Sequence, residues 1–143
     1  MNIDSISNGI VIDHIKADNG MKLYELLDLG SLACSVAIIK NVTSKKMGKK
    51  DIIKIDADIP LNLDVIGYVD PGATVNIIRD GKLVEKKIIG MPEALTNVIK
   101  CKNPRCITSV ESYCDHVFHL VDEEKRTYRC EYCDDIVTPH INR

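Results

Sequence analysis

Two pairs of cysteines carry the most specific chemistry in this 143-residue chain. Four residues separate Cys101 from Cys106, two separate Cys130 from Cys133, and 23 lie between the pairs. A turn can bring both thiolates of a pair to one side. Two such knuckles then close a tetrahedral shell of sulfurs about 2.3 Å from one zinc ion. A four-sulfur shell leaves no open position for water, so the expected role is structural rather than Lewis-acid. Four thiolates overcompensate a divalent ion, and Lys100, Lys102, Arg105 and Arg129 stand nearby in sequence to offset the excess, together with backbone N–H groups. Cys34 and Cys114 read as small packed residues. His116 and His119 sit among Val117, Phe118 and Leu120, which points to a partly buried strand rather than a second metal site.

A second cluster is basic. Lys45, Lys46, Lys49, Lys50 and Lys54 crowd one stretch with only Asp51 to oppose them, and Lys82, Lys86 and Lys87 follow later. On strands, alternation puts Lys50, Ile52 and Lys54 on one face. It likewise puts Lys82, Val84 and Lys86 together, with Lys87 pointing away. Lysines of this kind commonly serve as a solvated edge that blocks strand-to-strand aggregation. Asp13-His14, set inside an apolar strand where ionisable side chains need partners, shifts the weight towards a site for a multiply charged anion.

Other chemistries lack their signatures. No P-loop or Ser-His-Asp arrangement is recognisable, and the His-x-Glu with Pro-Cys-x-x-Cys pattern of zinc deaminases is missing. Net charge is −2 and neither half carries an excess, which argues against a polyanion binder by bulk charge. Aromatics make up 4% of the chain, too few for stacking platforms that hold single-stranded bases. The N-terminus shows no basic and apolar signal segments and no run is long enough for a bilayer span, so a cytoplasmic protein is expected, where clustered cysteines bind metal rather than form disulfides.

The elements that must position these residues alternate over the first ninety positions. A β-branched run at 10–15 precedes Asp18-Asn19-Gly20, which can end a strand and cap a helix; Leu23, Leu26 and Leu27 then follow helical spacing up to Gly30. Segments 33–42 and 50–56 read as strands of a long hairpin joined by polar residues 43–48. A short helix is expected after Pro60, and Asp70-Pro71-Gly72 is a turn. Segments 73–78 and 83–89 flank Asp80-Gly81, a strong signal for a tight hairpin. The order β-α-β-β-α-β plus one strand is the split β-α-β pattern of ferredoxin-like folds, an α+β class with an antiparallel sheet and both helices on one face. Gly90-Met91-Pro92 ends this domain, giving 1–92 and 93–143. The tail is too short to bury a sufficient core without a staple, and zinc supplies one.

Several motifs together resemble one family. Gly9-Ile-Val-Ile-Asp-His-Ile15, Met47-Gly-Lys-Lys-Asp-Ile-Ile-Lys-Ile55, Ala73-Thr-Val-Asn76 and the cysteine spacing are similar to those of aspartate carbamoyltransferase regulatory chains, over nearly the full length. The resemblance implies a non-catalytic allosteric subunit of pyrimidine biosynthesis. Its first domain would bind CTP, ATP and UTP against the sheet. By that analogy Asp13 and Lys54 lie near ribose and base, His14 and Lys86 near the phosphates, and Lys50 close by. Ile3, Ile6 and Val11 would line the base with Asn76 and Ile78 beside them, and Gly81-Lys82-Leu83 leaves the rim without a large side chain. The zinc domain would grip the catalytic chain, and three regulatory dimers would bridge two catalytic trimers in a dodecamer. Cys34 and Cys114 fall outside the family's metal pattern.

Two other readings use the same residues. A zinc-ribbon nucleic-acid binder would employ the four-cysteine module with surface Lys and Arg, against which the near-neutral tail argues. A small metal-dependent nucleotide hydrolase would need an open coordination position that four thiolates deny.

Overall fold

The computed structural model of the chain describes residues 6–138, which form two units dividing after Gly90. Ile3 lies outside the described residues. In the first unit, strands β1 (Gly9–Lys16), β2 (Val36–Ser44), β3 (Gly48–Ile55), β4 (Thr74–Arg79) and β5 (Lys82–Ile88) make one sheet in the order β2-β3-β1-β4-β5. All its neighbours are antiparallel. Helices α1 (Asn19–Leu26) and α2 (Leu63–Val69) interrupt the strands where the ferredoxin-like pattern requires.

The core forms on one face because β-branched residues alternate. Ile53 and Ile55 are buried on β3, Val75 on β4, and Val65, Ile66 and Val69 of α2 are buried too. Strict alternation along β1 would bury His14 beside Ile10 and Ile12. Instead the pairing with β3 shifts between Ile12 and Ile15, so that Ile15 is fully buried and His14 is not. This bulge holds His14 at φ 58°, a left-handed backbone that is unusual outside glycine.

Several expectations change in detail. The first hairpin is tighter than expected: Ser44 pairs with Gly48, and only residues 45–47 turn. The first helix starts at Asn19 and stops at Leu26, followed by a 3-10 turn at Leu29–Ser31. Its start is not capped by Asp18, which is left-handed with no side-chain cap bond. Asp51 does that work from β3: its Oδ2 accepts from the N–H groups of Asp18 and Gly20, each at 3.0 Å, and its Oδ1 accepts from Asn41 at 3.0 Å. Asp51 is fully buried, so it does not oppose the surface lysines at all. A Cβ on Gly20 would stand 2.8 Å from Asp51 Oδ2, which explains the glycine. Asn62 caps α2, its Oδ1 accepting from Asp64 and Val65 N–H. The last hairpin turns through Asp80 (φ 52°) and Gly81 (φ 75°), both positive as a tight two-residue turn demands.

In the second unit, β6 (Ala94–Thr96), β7 (Val117–Asp122), β8 (Thr127–Cys130) and β9 (Ile136–Val137) form an antiparallel sheet in sequence order, with α3 (Ile107–Val110) after the first knuckle. Leu95, Phe118 and Cys130 lie side by side across three strands, all fully buried. Tyr128 is buried as well, and its hydroxyl donates to the Pro92 carbonyl at 2.7 Å.

Candidate functional site

The sheet of the second unit delivers Cys130 at the end of β8, and the turn that follows returns the chain to Cys133. In the first knuckle Asn103 Oδ1 accepts from Arg105 N–H at 3.0 Å, and the Ser109 hydroxyl donates to the Asn103 carbonyl at 2.7 Å, which shapes the loop between Cys101 and Cys106. The four sulfurs lie within 4.8 Å of one another. Cys101 and Cys133 are separated by 3.5 Å between sulfurs, and Cys106 and Cys130 by 3.7 Å. Both separations are far too long for a disulfide, and all six cysteines are free. They fit a metal shell, since four sulfurs at about 2.3 Å from a central ion stand roughly 3.8 Å apart.

Backbone N–H groups aim at the sulfurs: Asn103 at Cys101, Thr108 at Cys106, and Tyr132 with Cys133 at Cys130. The buried Thr108 hydroxyl lies 3.0 Å from Cys106 Sγ and brings that thiol down to about 7. Burial pushes Cys101 up to about 12 and raises Cys130 for the same reason. A bound cation supplies the charge that lets the raised thiols ionise. Arg129 pairs with Asp134 at 3.6 Å, so its charge is shared. The histidines serve the scaffold: His116 Nδ1 accepts from Cys101 N–H at 3.1 Å, and His119 Nε2 stands 3.0 Å from Glu131.

The second candidate site lies on the sheet face opposite the core. Lys54, Val11, Asn76 and Lys86 occupy directly paired positions on β3, β1, β4 and β5, so they form one row across the sheet. Asp13, Thr74 and Ile88 form the next row. On the other side Ile78 pairs with Gly9, and Ile6 packs there, its Cγ2 2.7 Å from where a Gly9 Cβ would stand. Asp13 and Lys50 form an ion pair at 3.0 Å. Burial disfavours the Asp13 carboxylate, but Lys50 and the His14 N–H, 2.6 Å away, outweigh it and hold the group below its ordinary value. His14 Nδ1 is hydrogen-bonded to Thr74 Oγ1 at 3.2 Å. Together the strands bring Asp13, His14, Lys50, Lys54, Val11, Asn76, Ile78 and Lys86 to one face.

Alternation misleads at β5 as it does at β1. The β4–β5 pairing shifts between Ile77 and Ile78, so Lys82 opposes Arg79 while Lys86 opposes Asn76. Those two positions lie on opposite faces, and Lys82 does not share a face with Lys86. Sequence reasoning missed Thr74 and Thr108, which carried no signal of their own. It also misjudged Asp51, whose signal was available: a carboxylate at a core position of the alternating run Asp51, Ile53, Ile55.

A cavity of about 330 Å³ opens on this face, lined by His14, Lys46, Thr74, Lys86 and Ile88 among others. The Oδ1 of Asn76 is buried without a hydrogen-bond partner, the kind of acceptor that a ligand hydroxyl or amine satisfies. No helix among the described residues is long and apolar enough to cross a membrane.

Fold and sites together define a two-unit chain, in which a sheet offers a polar face for a ligand and a cysteine cluster staples a small metal-binding module. Residues 1–90 match the family model "Aspartate carbamoyltransferase regulatory chain, allosteric domain" and residues 93–142 the model of that chain's metal binding domain. Aspartate carbamoyltransferase regulatory chains of Clostridium acetobutylicum and Clostridium tetani are 55% and 52% identical, each covering 95% of this chain and 93% and 95% of their own lengths. That of Bifidobacterium longum is 47% identical over 94% of this chain and 97% of its own. The chain belongs to the aspartate carbamoyltransferase regulatory chains: it is a regulatory subunit with an allosteric and a metal-binding domain, and it acts on a catalytic chain.

Proposed function

We propose that residues 1–92 bind nucleoside triphosphates on the open sheet face and that residues 93–143 hold one zinc ion and dock on the catalytic chain. Asp13 and Lys54 would meet ribose and base, His14 and Lys86 the phosphates, with Lys50 steadying Asp13. Ile6, Val11, Asn76 and Ile78 would surround the base, joined by Ile3. The observation that carries this reading is the row Lys54, Val11, Asn76 and Lys86 beside the His14 cavity, with a buried acceptor lacking a donor at its centre. For the metal, Cys101, Cys106, Cys130 and Cys133 form a soft, closed, four-sulfur set suited to zinc.

Ile107, Val110, Tyr113 and Tyr132 are exposed on or beside the knuckles, where they form an apolar surface for the catalytic chain. Control then works by linkage. An effector shifts the enzyme between less and more active states only through its different affinity for them, typically about 1–3 kcal/mol. CTP would favour the less active state, ATP the more active one, and UTP would assist CTP. The assembly is a cytoplasmic dodecamer of two catalytic trimers bridged by three regulatory dimers. Mixing the chain with its cognate catalytic trimer, weighing the product and titrating CTP and ATP against activity tests this. Opposed responses in a dodecamer are expected, and activity indifferent to both nucleotides refutes the proposal.

A further inference from the structure

Several lysines of the first unit have polar contacts. Lys50 is paired with Asp13, Lys49 Nζ reaches Thr43 Oγ1 at 3.4 Å, and Lys87 stands 4.0 Å from Glu85. Lys46 and Lys86 have no ion-pair partner among the described residues. They meet in the same 330 Å³ cavity, together with His14. The three side chains come from three elements: β1, the turn between β2 and β3, and β5. Among the described residues no carboxylate lines the cavity. Two lysines line one small space with no acidic side chain in its lining, so an anion that fills it meets two positive charges, and its own charge sets the strength of that attraction.

The turn is also shaped to deliver Lys46. Ser44 Oγ accepts from Met47 N–H at 3.2 Å, and Gly48 at φ 79° lets the chain return directly into β3. Lys46 therefore projects from a short, internally bonded turn rather than from a long loop. The row Lys54, Val11, Asn76 and Lys86 runs into this cavity at Lys86, so a ligand lying along that row reaches the cavity with one end.

We infer that Lys46 reads the number of phosphates on the effector, gripping the terminal phosphate of a nucleoside triphosphate together with Lys86 and leaving a monophosphate untouched. This rests on the proposed nucleotide site and assigns one more residue to it. The test is calorimetric titration of the full chain with CTP and CMP for the parent, Lys46→Ala, Lys46→Arg and Lys86→Ala. Lys46→Ala should lower CTP affinity about tenfold, the size of one charge-assisted hydrogen bond, and leave CMP affinity unchanged. Lys46→Arg should retain most of the CTP affinity. If Lys86→Ala weakens CTP binding while Lys46→Ala does not, the role of Lys46 is overturned and the nucleotide site stands. Equal losses for CTP and CMP in Lys46→Ala also overturn it. A parent chain that binds no CTP at all sinks the nucleotide site itself.

Discussion

In residues 6–90 the buried side chains are mostly aliphatic: Ile10, Ile12, Ile15, Leu23, Ile53, Ile55, Ile66 and Val69 pack between one sheet and two helices. In residues 91–138 the buried apolar set shrinks to Leu95, Phe118 and Tyr128, and three of the four clustered cysteines complete it. Each fully buried aliphatic side chain contributes about 1.5–3 kcal/mol, so the first unit can balance its conformational entropy by burial. The second has too few such side chains, and its cysteines are buried where their protons, or a metal, must be accommodated. A structural zinc ion contributes roughly 10–16 kcal/mol in small modules of this kind, which exceeds anything its three-residue apolar core supplies. One chain thus holds a unit that folds by hydrophobic burial beside one that folds by coordination.

The largest effect that follows is on the second unit alone. Removing the metal with a chelator, or substituting Cys130→Ser, should abolish zinc stoichiometry and collapse the amide chemical-shift dispersion of residues 91–138. The signals of residues 6–90 should persist, and association with the catalytic chain should be lost. A well-dispersed second unit without metal would erase the contrast between the two.

A smaller effect probes whether burial suffices in the first unit. Asp51 satisfies three N–H groups in the interior, and Asp51→Ala leaves all three without an acceptor. The expected loss is about 3–5 kcal/mol in urea unfolding, with zinc retained by the second unit. Asp51→Asn, which keeps one acceptor oxygen, should lose less. An unchanged midpoint for the alanine variant would show that hydrophobic packing alone fixes the bulges and the start of α1.

How far each unit was legible in the sequence differs for the same reason. The cysteine spacing announces the metal cluster because coordination is short-range and local turns define it. The succession of strands and helices in the first unit was also readable, from β-branched runs and from Asp80-Gly81. What alternation could not supply were the shifts of register, because a bulge depends on the partner strand. Nothing local in Asp13-His14-Ile15 says that His14 turns outward while Ile15 turns in. The same holds for Lys82, which a one-residue shift carries to the other face from Lys86. Asp51 was a readable exception, since a carboxylate among buried isoleucines demands partners. Lys46 was visible only as one of many lysines; its cavity is a tertiary fact.

The smallest effect concerns the outward turn itself. Asp13 carries an ion pair with Lys50 and accepts from the N–H of His14, the residue in the strained backbone. Its folded value is lowered, so its contribution is present above the unfolded carboxyl value and is lost as pH falls through the folded one. Asp13→Asn should therefore be less stable than the parent by about 1 kcal/mol near pH 7, and the difference should shrink below pH ~4. Denaturant unfolding at pH 7 and pH 3 measures both. The variant should bind nucleotide more weakly as well, since the bulge that presents His14 loses its anchor. A stability difference that stays constant with pH would mean that shape rather than charge holds the bulge, and the first unit would then rest on packing even where its strands bend.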